Sequence, residues 1–328
     1  MNEGITEAEW GAATAAIHSA VAADASILLV CHVNPDGDAL GSMLGVAHAL
    51  VALGSTRLQA TFPGPLTIPE PFAPMPGLHL LVPEDQAIER PDLLITFDAA
   101  SESRLGMLRD RLETAVDTVV LDHHASFTGF GRHRLVAPTS AATAVIAAEL
   151  IDRLGVALDR SIAECLYIGV ITDTGSFRYE LTTPAVHRLA ARLVETGINP
   201  GEVSQRIFDS RTFGAVKLYG EVLSRAVLEV EKRLVWTTAT LDDLKRHDQP
   251  VHVLEGLIDG IRSTVEADVA CLLKQVAPEE WSVSLRGRGG VDVSRVAIAL
   301  GGGGHRLAAG FTGLGSADEV LDRIRAEL

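Results

Sequence analysis

The sequence predicts an α/β fold, a parallel β-sheet flanked by helices, followed by a smaller α+β domain with a mixed sheet. Short apolar runs at 27–31, 93–97 and 118–121 have the length and continuity of strands buried on both faces, the mark of parallel sheets. Between them lie stretches with apolar residues at helical spacing, so strand and helix alternate. Beyond the Ile198-Asn199-Pro200-Gly201 break the rhythm changes to paired strand-like runs, which reads as a second domain. We therefore expect a first domain over 1–197, a linker over 198–214 and a second domain over 215–328.

A chain of 328 residues, 47% hydrophobic and 22% charged, is long enough for two packed cores. Its formal charge of −15 argues against a protein that grips long nucleic acid through counterion release. The three cysteines, Cys31, Cys165 and Cys271, lie far apart in apolar runs and read as buried, reduced thiols. The first ten residues lack the basic-then-apolar pattern of a signal peptide, and no apolar run reaches the roughly 20 residues that span a bilayer. A cytoplasmic protein with no membrane partner is expected.

In order, 6–22 is alanine-rich with acidic residues at its start and should be a helix. The run at 27–31 then breaks into His32-Val33-Asn34-Pro35-Asp36-Gly37-Asp38, where proline and glycine end any regular element. One imidazole and two carboxylates in seven residues suit a divalent cation, although a polar turn tied down by Asn34 and Asp36 would look similar. Residues 39–53 form the next helix, in which His48 reads as a packed or surface residue rather than a ligand. The proline-dense stretch at 62–77 should be an ordered connection, because the strand–helix rhythm resumes after it.

The second strand runs into Asp98 and the third into Asp122-His123-His124. Three consecutive strands ending in carboxylate or imidazole place all of those groups on one rim of a parallel sheet, where α/β proteins bind ligands. This outweighs the polar-turn reading and points to a metal or phosphate site. Residues 139–155 begin with Thr139 and Ser140 as a cap and end at glycine, as a helix should. The nearly all-apolar 161–173 is a buried helix closing on Asp173, whose carboxylate needs either a shared cation or a salt bridge to Arg178. Residues 183–197 are amphipathic, with Pro184 near the helix start.

In the second domain, 228–230 with 235–238 and 267–276 with 281–285 read as strand pairs, and 252–261, 291–300 and 317–328 as helices. Arg286-Gly287-Arg288 closes a strand, and Gly301, Gly302, Gly303 and Gly304 precede His305 and Arg306. A helix stop needs one glycine, and each further one costs roughly 1 kcal/mol relative to alanine. The surplus predicts close approach of a ligand to bare backbone, with a mobile hinge as the alternative.

The set His32-x-x-x-Asp36-x-Asp38, Asp98, Asp122-His123-His124 and Asp173, followed by the four glycines and His305, resembles the DHH phosphoesterase family. Within it, the pattern is similar to the branch with a DHH-associated C-terminal domain: stand-alone bacterial nano-RNases, pAp phosphatases and cyclic-dinucleotide phosphodiesterases. The resemblance spans nearly the whole chain. It implies an active-site cleft between two domains and two Mn²⁺ ions, with Mg²⁺ as substitute. By position, His32, Asp36 and Asp98 would hold one ion, and Asp38, Asp98, His123 and Asp173 the other, with Asp98 bridging. His124 would face the scissile phosphate and Asp122 would orient an imidazole, so Asp98, His124 and Asp122 form the implied catalytic set. Arg104, Arg286, Gly302, Gly303, Gly304 and His305 would contact the nucleotide.

The implied activity is an Mn²⁺-dependent phosphodiesterase and phosphatase for short nucleotides. It would convert nano-RNA and pApA to mononucleotides, cleave cyclic di-AMP and take pAp to AMP, using water activated by two metals. A homodimer is also plausible on the resemblance. The competing readings are an inorganic pyrophosphatase-like hydrolase and a catalytically silent nucleotide-sensing module. A single-stranded-DNA exonuclease of the same family is disfavoured, since the chain lacks room for a further nucleic-acid domain and its charge is adverse.

Overall fold

The computed structural model describes residues 4–328, which divide into two compact units, one ending at Ser210 and the other running from Arg211 to Leu328. The first contains α1 (Glu7–Ala22), β1 (Ile27–Cys31), α2 (Gly37–Ala52), β2 (Leu58–Thr61), β3 (Leu93–Phe97) and a short α3 (Arg111–Thr114). It continues with β4 (Asp117–Asp122), β5 (His133–Val136), α4 (Thr143–Arg153), α5 (Arg160–Asp173), α6 (Pro184–Glu195) and α7 (Pro200–Phe208). Its five strands are all parallel, in the order β2-β1-β3-β4-β5. Strands β1, β3 and β4 are therefore adjacent, and their carboxyl ends share one rim.

β1 and β3 are buried along their whole length because both sheet faces are covered, which explains their unbroken apolar runs. Ile27, Leu29, Ile95, Phe97, Val119 and Leu121 pack with α1, α2, α4 and α5. Their neighbours Leu28, Val30, Leu94 and Val120 face a smaller cluster built by Leu105, Leu108 and Phe130. The stretch at 62–77 is ordered, with Phe72 and Met75 packed against the larger core. The segment expected as a linker carries α7, whose Val203 is buried in that same core.

Helices α2 and α5 cross closely enough that a Cβ on Gly41 would stand 2.4 Å from the Cys165 carbonyl oxygen. A Cβ on Gly169 would meet Asp38 Oδ1 at 2.7 Å and Ala144 Cβ at 2.6 Å. The tight crossing thus seats Asp38, on α2, directly against α5.

The second unit contains α8 (Phe213–Ser224), β6 (Val227–Glu229), β7 (Leu234–Ala239), α9 (Leu241–Arg246), α10 (Ile258–Ile261), β8 (Val269–Ala277) and β9 (Glu280–Gly287). It ends with α11 (Val293–Ala299), β10 (Gly303–His305), β11 (Ala308–Leu314) and α12 (Ala317–Glu327). The six strands run in the order β10-β11-β9-β8-β7-β6, and only β7 and β8 pair in parallel, so the sheet is mixed. The stretch expected as one helix over 252–261 is a 3₁₀ segment, Val251–Leu257, leading into the short α10.

The glycine run follows α11 and enters strand β10. Gly301, at φ +85°, stops α11, while Gly302 and Gly304 lie against the β11 backbone, where a Cβ would meet Gly310 O at 2.1 Å and Ala308 O at 2.6 Å respectively. Packing of the β10–β11 hairpin accounts for these glycines. Cys31, Cys165 and Cys271 are buried and unpaired. No helix among the described residues is long and apolar enough to cross a membrane.

Gly41→Ala should destabilise the protein by about 1–3 kcal/mol, because its methyl meets backbone and the helices must part. Urea denaturation measures this, and an unchanged midpoint would mean that the α2–α5 crossing has slack.

Candidate functional site: a cluster of carboxylates and imidazoles on the sheet rim

After β1, Asn34 takes a left-handed turn at φ 53° and Asp36 becomes the N-cap of α2. Asp36 Oδ1 accepts hydrogen bonds from Asp38 N (3.1 Å) and Ala39 N (3.0 Å), as N-cap carboxylates do. The two acidic residues consequently part company. Asp36 keeps 55% of its side chain exposed, whereas Asp38, in the first turn of α2, is fully buried.

β3 ends on Asp98, which is also left-handed (φ 56°), a conformation that costs a non-glycine residue about 1–2 kcal/mol. Its backbone N–H bonds to the Leu121 carbonyl of β4 (2.9 Å). Asp122 ends the neighbouring strand β4, His123 and His124 follow it, and Asp173 closes α5.

The structure brings six sequence-predicted metal ligands into two touching groups. His32 Nε2 lies 3.5 Å from Asp98 Oδ2 and 3.9 Å from Asp36 Oδ1. His123 Nε2 lies 2.9 Å from Asp173 Oδ2, 3.6 Å from Asp98 Oδ1 and 3.9 Å from Asp38 Oδ2. Asp98 thus presents one oxygen to each group. Asp173 pairs with His123, while Arg178, the alternative partner, donates from Nε to the Gly175 carbonyl.

The rings are set from behind. His32 Nδ1 is 2.8 Å from the Val33 carbonyl and His123 Nδ1 is 3.1 Å from that of Ser140. For His123 the carbonyl requires the hydrogen on Nδ1, so a neutral ring would turn an Nε2 lone pair toward the carboxylates, whereas His32 Nδ1 also faces the Arg104 guanidinium at 3.0 Å, a donor that calls for a lone pair there. Lone pair facing carboxylate is repulsive unless a proton or a cation lies between. Burial pulls His123 down, but the Asp173 hydrogen bond and the charges of Asp173, Asp98 and Asp38 outweigh it and carry the ring well above its ordinary value. His32 is raised too, burial being outweighed by Asp98 and Asp36.

For the acids, burial pushes Asp98 upward, but His32, His124 and His123 hold it well below the usual carboxylate range. Asp38 is driven well above that range by burial, then by the neighbouring charges of Asp98 and Asp173. Hard oxygen donors with two imidazoles fit a pair of divalent cations such as Mn²⁺ or Mg²⁺.

Asp122 Oδ1 accepts from His124 Nδ1 (2.7 Å) and from the backbone N–H groups of His123 (2.9 Å) and His124 (3.3 Å). It orients the His124 ring and the turn that carries both histidines. Arg104, expected as a substrate contact, lies with Nη2 3.0 Å from His32 Nδ1, and its carbonyl accepts from Val33 N (2.9 Å).

In the second unit, His305 pairs with Ala308 on β11, and Ala308 pairs with Arg286 on β9. His305 and Arg286 therefore stand in one cross-strand row on the same sheet face, about 10 Å apart by strand spacing.

Sequence reading missed Thr143. Helix α4 starts there, with Ala142 rather than Thr139 or Ser140 as its N-cap, and Ala142 has no capping side chain. Asp38 fills that role from afar: its Oδ2 accepts from Thr143 N (2.6 Å) and its Oδ1 from Ala144 N (2.8 Å). The Thr143 hydroxyl donates to Asp98 Oδ1 (2.9 Å). A helix opening on alanines is the available signal, since an uncapped, buried N-terminus needs an acceptor from elsewhere.

If the cluster holds cations, Mn²⁺ at about 100 times its Kd should stabilise the protein by ~2.7 kcal/mol. The expected result is a higher thermal midpoint that EDTA reverses, and an unmoved midpoint would count against the metal assignment.

Residues 26–170 match the DHH family, N-terminal domain, and residues 238–328 match the DHHA1 domain. A protein of Thermus thermophilus named bifunctional oligoribonuclease and PAP phosphatase NrnA is 34% identical over 94% of this chain and 91% of its own length. Its namesake in Bacillus subtilis is 25% identical over 92% of this chain and 93% of its own length. The crystal structure of an exopolyphosphatase-related protein from Bacteroides fragilis shares the fold, with a TM-score of 0.88 at 24% identity, covering 100% of this chain and 97% of that one. With the strand-rim cluster in place and these matches spanning both units, the chain belongs to the DHH family of phosphoesterases, a hydrolase with a DHHA1 domain as its second part.

Proposed function

We propose that this phosphoesterase hydrolyses very short nucleotides with the help of two divalent cations, Mn²⁺ foremost. Its substrates are nano-RNA and pApA, cut to mononucleotides, together with pAp, taken to AMP, and cyclic di-AMP. The observation that carries the reading is Asp98, which groups with His32 and Asp36 and turns Oδ2 to His32 and Oδ1 to His123. One carboxylate shared by two donor groups is the arrangement that a paired-cation centre requires.

When bound, the cations would supply an activated water and neutralise charge on the phosphate. His32, Asp36 and Asp98 would hold one; Asp38, Asp98, His123 and Asp173 the other. The chain itself contributes orientation: the Ser140 carbonyl holds the His123 ring, the Val33 carbonyl and Arg104 flank that of His32, and Asp122 holds His124 through Nδ1, presenting that ring to the substrate phosphate. In the second unit, His305 and Arg286 would bind the anionic nucleotide, with Gly303 and Gly304 allowing it close to the backbone, while the Gly302 N–H is committed to the Ala297 carbonyl.

Support for short substrates comes from the names of the Thermus and Bacillus relatives and from the −15 charge, which gives a long polyanion no attractive track. Three buried free thiols agree with a reducing, cytoplasmic setting.

In a competition assay with Mn²⁺, pApA and a five-nucleotide RNA should disappear to mononucleotides, with pAp and cyclic di-AMP consumed as well. If chromatography found all four untouched, the reading would be wrong.

Asp98→Ala should remove activity on every substrate, by well over the roughly 100-fold that losing an outer-shell partner costs. His305→Ala should lower kcat/KM for nucleotides about tenfold or more while the Mn²⁺-dependent thermal shift persists. Loss of that shift would mean His305 serves the metals instead.

A further inference from the structure

We propose that Thr143 is a positioning residue of the cation centre, one that secures the side of Asp98 shared with Asp38, His123 and Asp173. The inference rests on the two-cation reading above and goes beyond its ligand set.

Among the described residues, four polar groups lie against the Asp98 carboxylate. Oδ2 has His32 Nε2 at 3.5 Å, and Oδ1 has His123 Nε2 and His124 Nδ1, each at 3.6 Å. The fourth is the Thr143 hydroxyl, 2.9 Å from Oδ1, the shortest of them and the one within ordinary hydrogen-bond length. Thr143 is itself fully buried, so water does not replace its hydroxyl cheaply.

The contact is one-sided. It engages Oδ1, which faces His123, and leaves Oδ2 to His32. The same residue's backbone N–H holds Asp38 Oδ2 at 2.6 Å. Thr143 therefore spans two of the four side chains in one donor group, and it meets the other group only at the shared Asp98, on the oxygen turned away from His32. A hydroxyl that donates to one carboxylate oxygen restricts rotation of that carboxylate and directs its remaining lone pair. Removing it should loosen one cation and spare the other.

The test separates the pockets. Asp173→Ala leaves the His32–Asp36–Asp98 pocket, and His32→Ala leaves the Asp38–Asp98–His123–Asp173 pocket. Mn²⁺ affinity is read in each background by calorimetry and by electron paramagnetic resonance of free Mn²⁺. Thr143→Val, which keeps the backbone donor to Asp38 and the side-chain volume, should weaken the ion about 10-fold to 100-fold in the His32→Ala background. In the Asp173→Ala background it should change affinity by less than about threefold, well short of the outer-shell effect. Thr143→Ser should restore the first value.

Equal losses in both backgrounds, no loss in either, or failure of serine to rescue would each overturn the assignment. If the valine variant does not fold by circular dichroism, Thr143→Ala takes its place with the same expectations. Wild-type protein that binds no Mn²⁺ would instead sink the cation reading itself, so the two failures are distinct.

Discussion

The structure turns on the repulsion among carboxylates gathered where water is scarce. Asp38, Asp98 and Asp122 are buried, and Asp173 is largely so, in a space shared with three imidazoles. An unpaired charge in such a place costs several kcal/mol, so each oxygen must be answered. The protein answers with backbone N–H groups at Asp36, Asp38 and Asp122, with the Thr143 hydroxyl at Asp98, and with imidazoles whose affinity for protons is raised by the acids around them. Much of the fold follows from assembling these partners: a parallel sheet that aligns three strand ends, and a helix crossing close enough to set Asp38 beside Gly169.

Much of this was legible in the sequence because it depends on local signals. The runs ending at His32, Asp98 and Asp122 announce buried parallel strands, and their polar ends announce the rim. Asp173 was readable as a carboxylate needing a partner, and His123 is that partner. Strands β2 and β5 were missed because each has four residues at a sheet edge and takes its place from pairing rather than composition. β10 and β11 were hidden by glycine and alanine, residues with poor strand propensity that the close hairpin packing nonetheless demands. Thr143 escaped because its importance comes from contacts 45 and 105 residues away in the chain.

At the site, orientation separates residues that lie side by side in the sequence. Asp36 and Asp38 look equivalent in the motif, yet N-capping turns one toward solvent and helix geometry turns the other inward. Arg104, an expected substrate contact, stands beside His32, and the Val33–Arg104 backbone bond holds that segment there. In the second unit, Arg286 and His305 are far apart in sequence and come together only through the registers of β9, β10 and β11.

The missing cap of α4 ties the order of assembly to the site. Its first two N–H groups are satisfied by Asp38, which belongs to a different strand–helix unit more than a hundred residues earlier. The first turn of α4 is therefore not a local structure at all, and it becomes complete only when α2 has docked beside it. Closing so large a loop is paid in chain entropy before the contact rewards it. The step that finishes this helix is also the step that fixes Asp38 and Asp98, so a chain that has folded α4 to its N-terminus has already built half of its candidate centre.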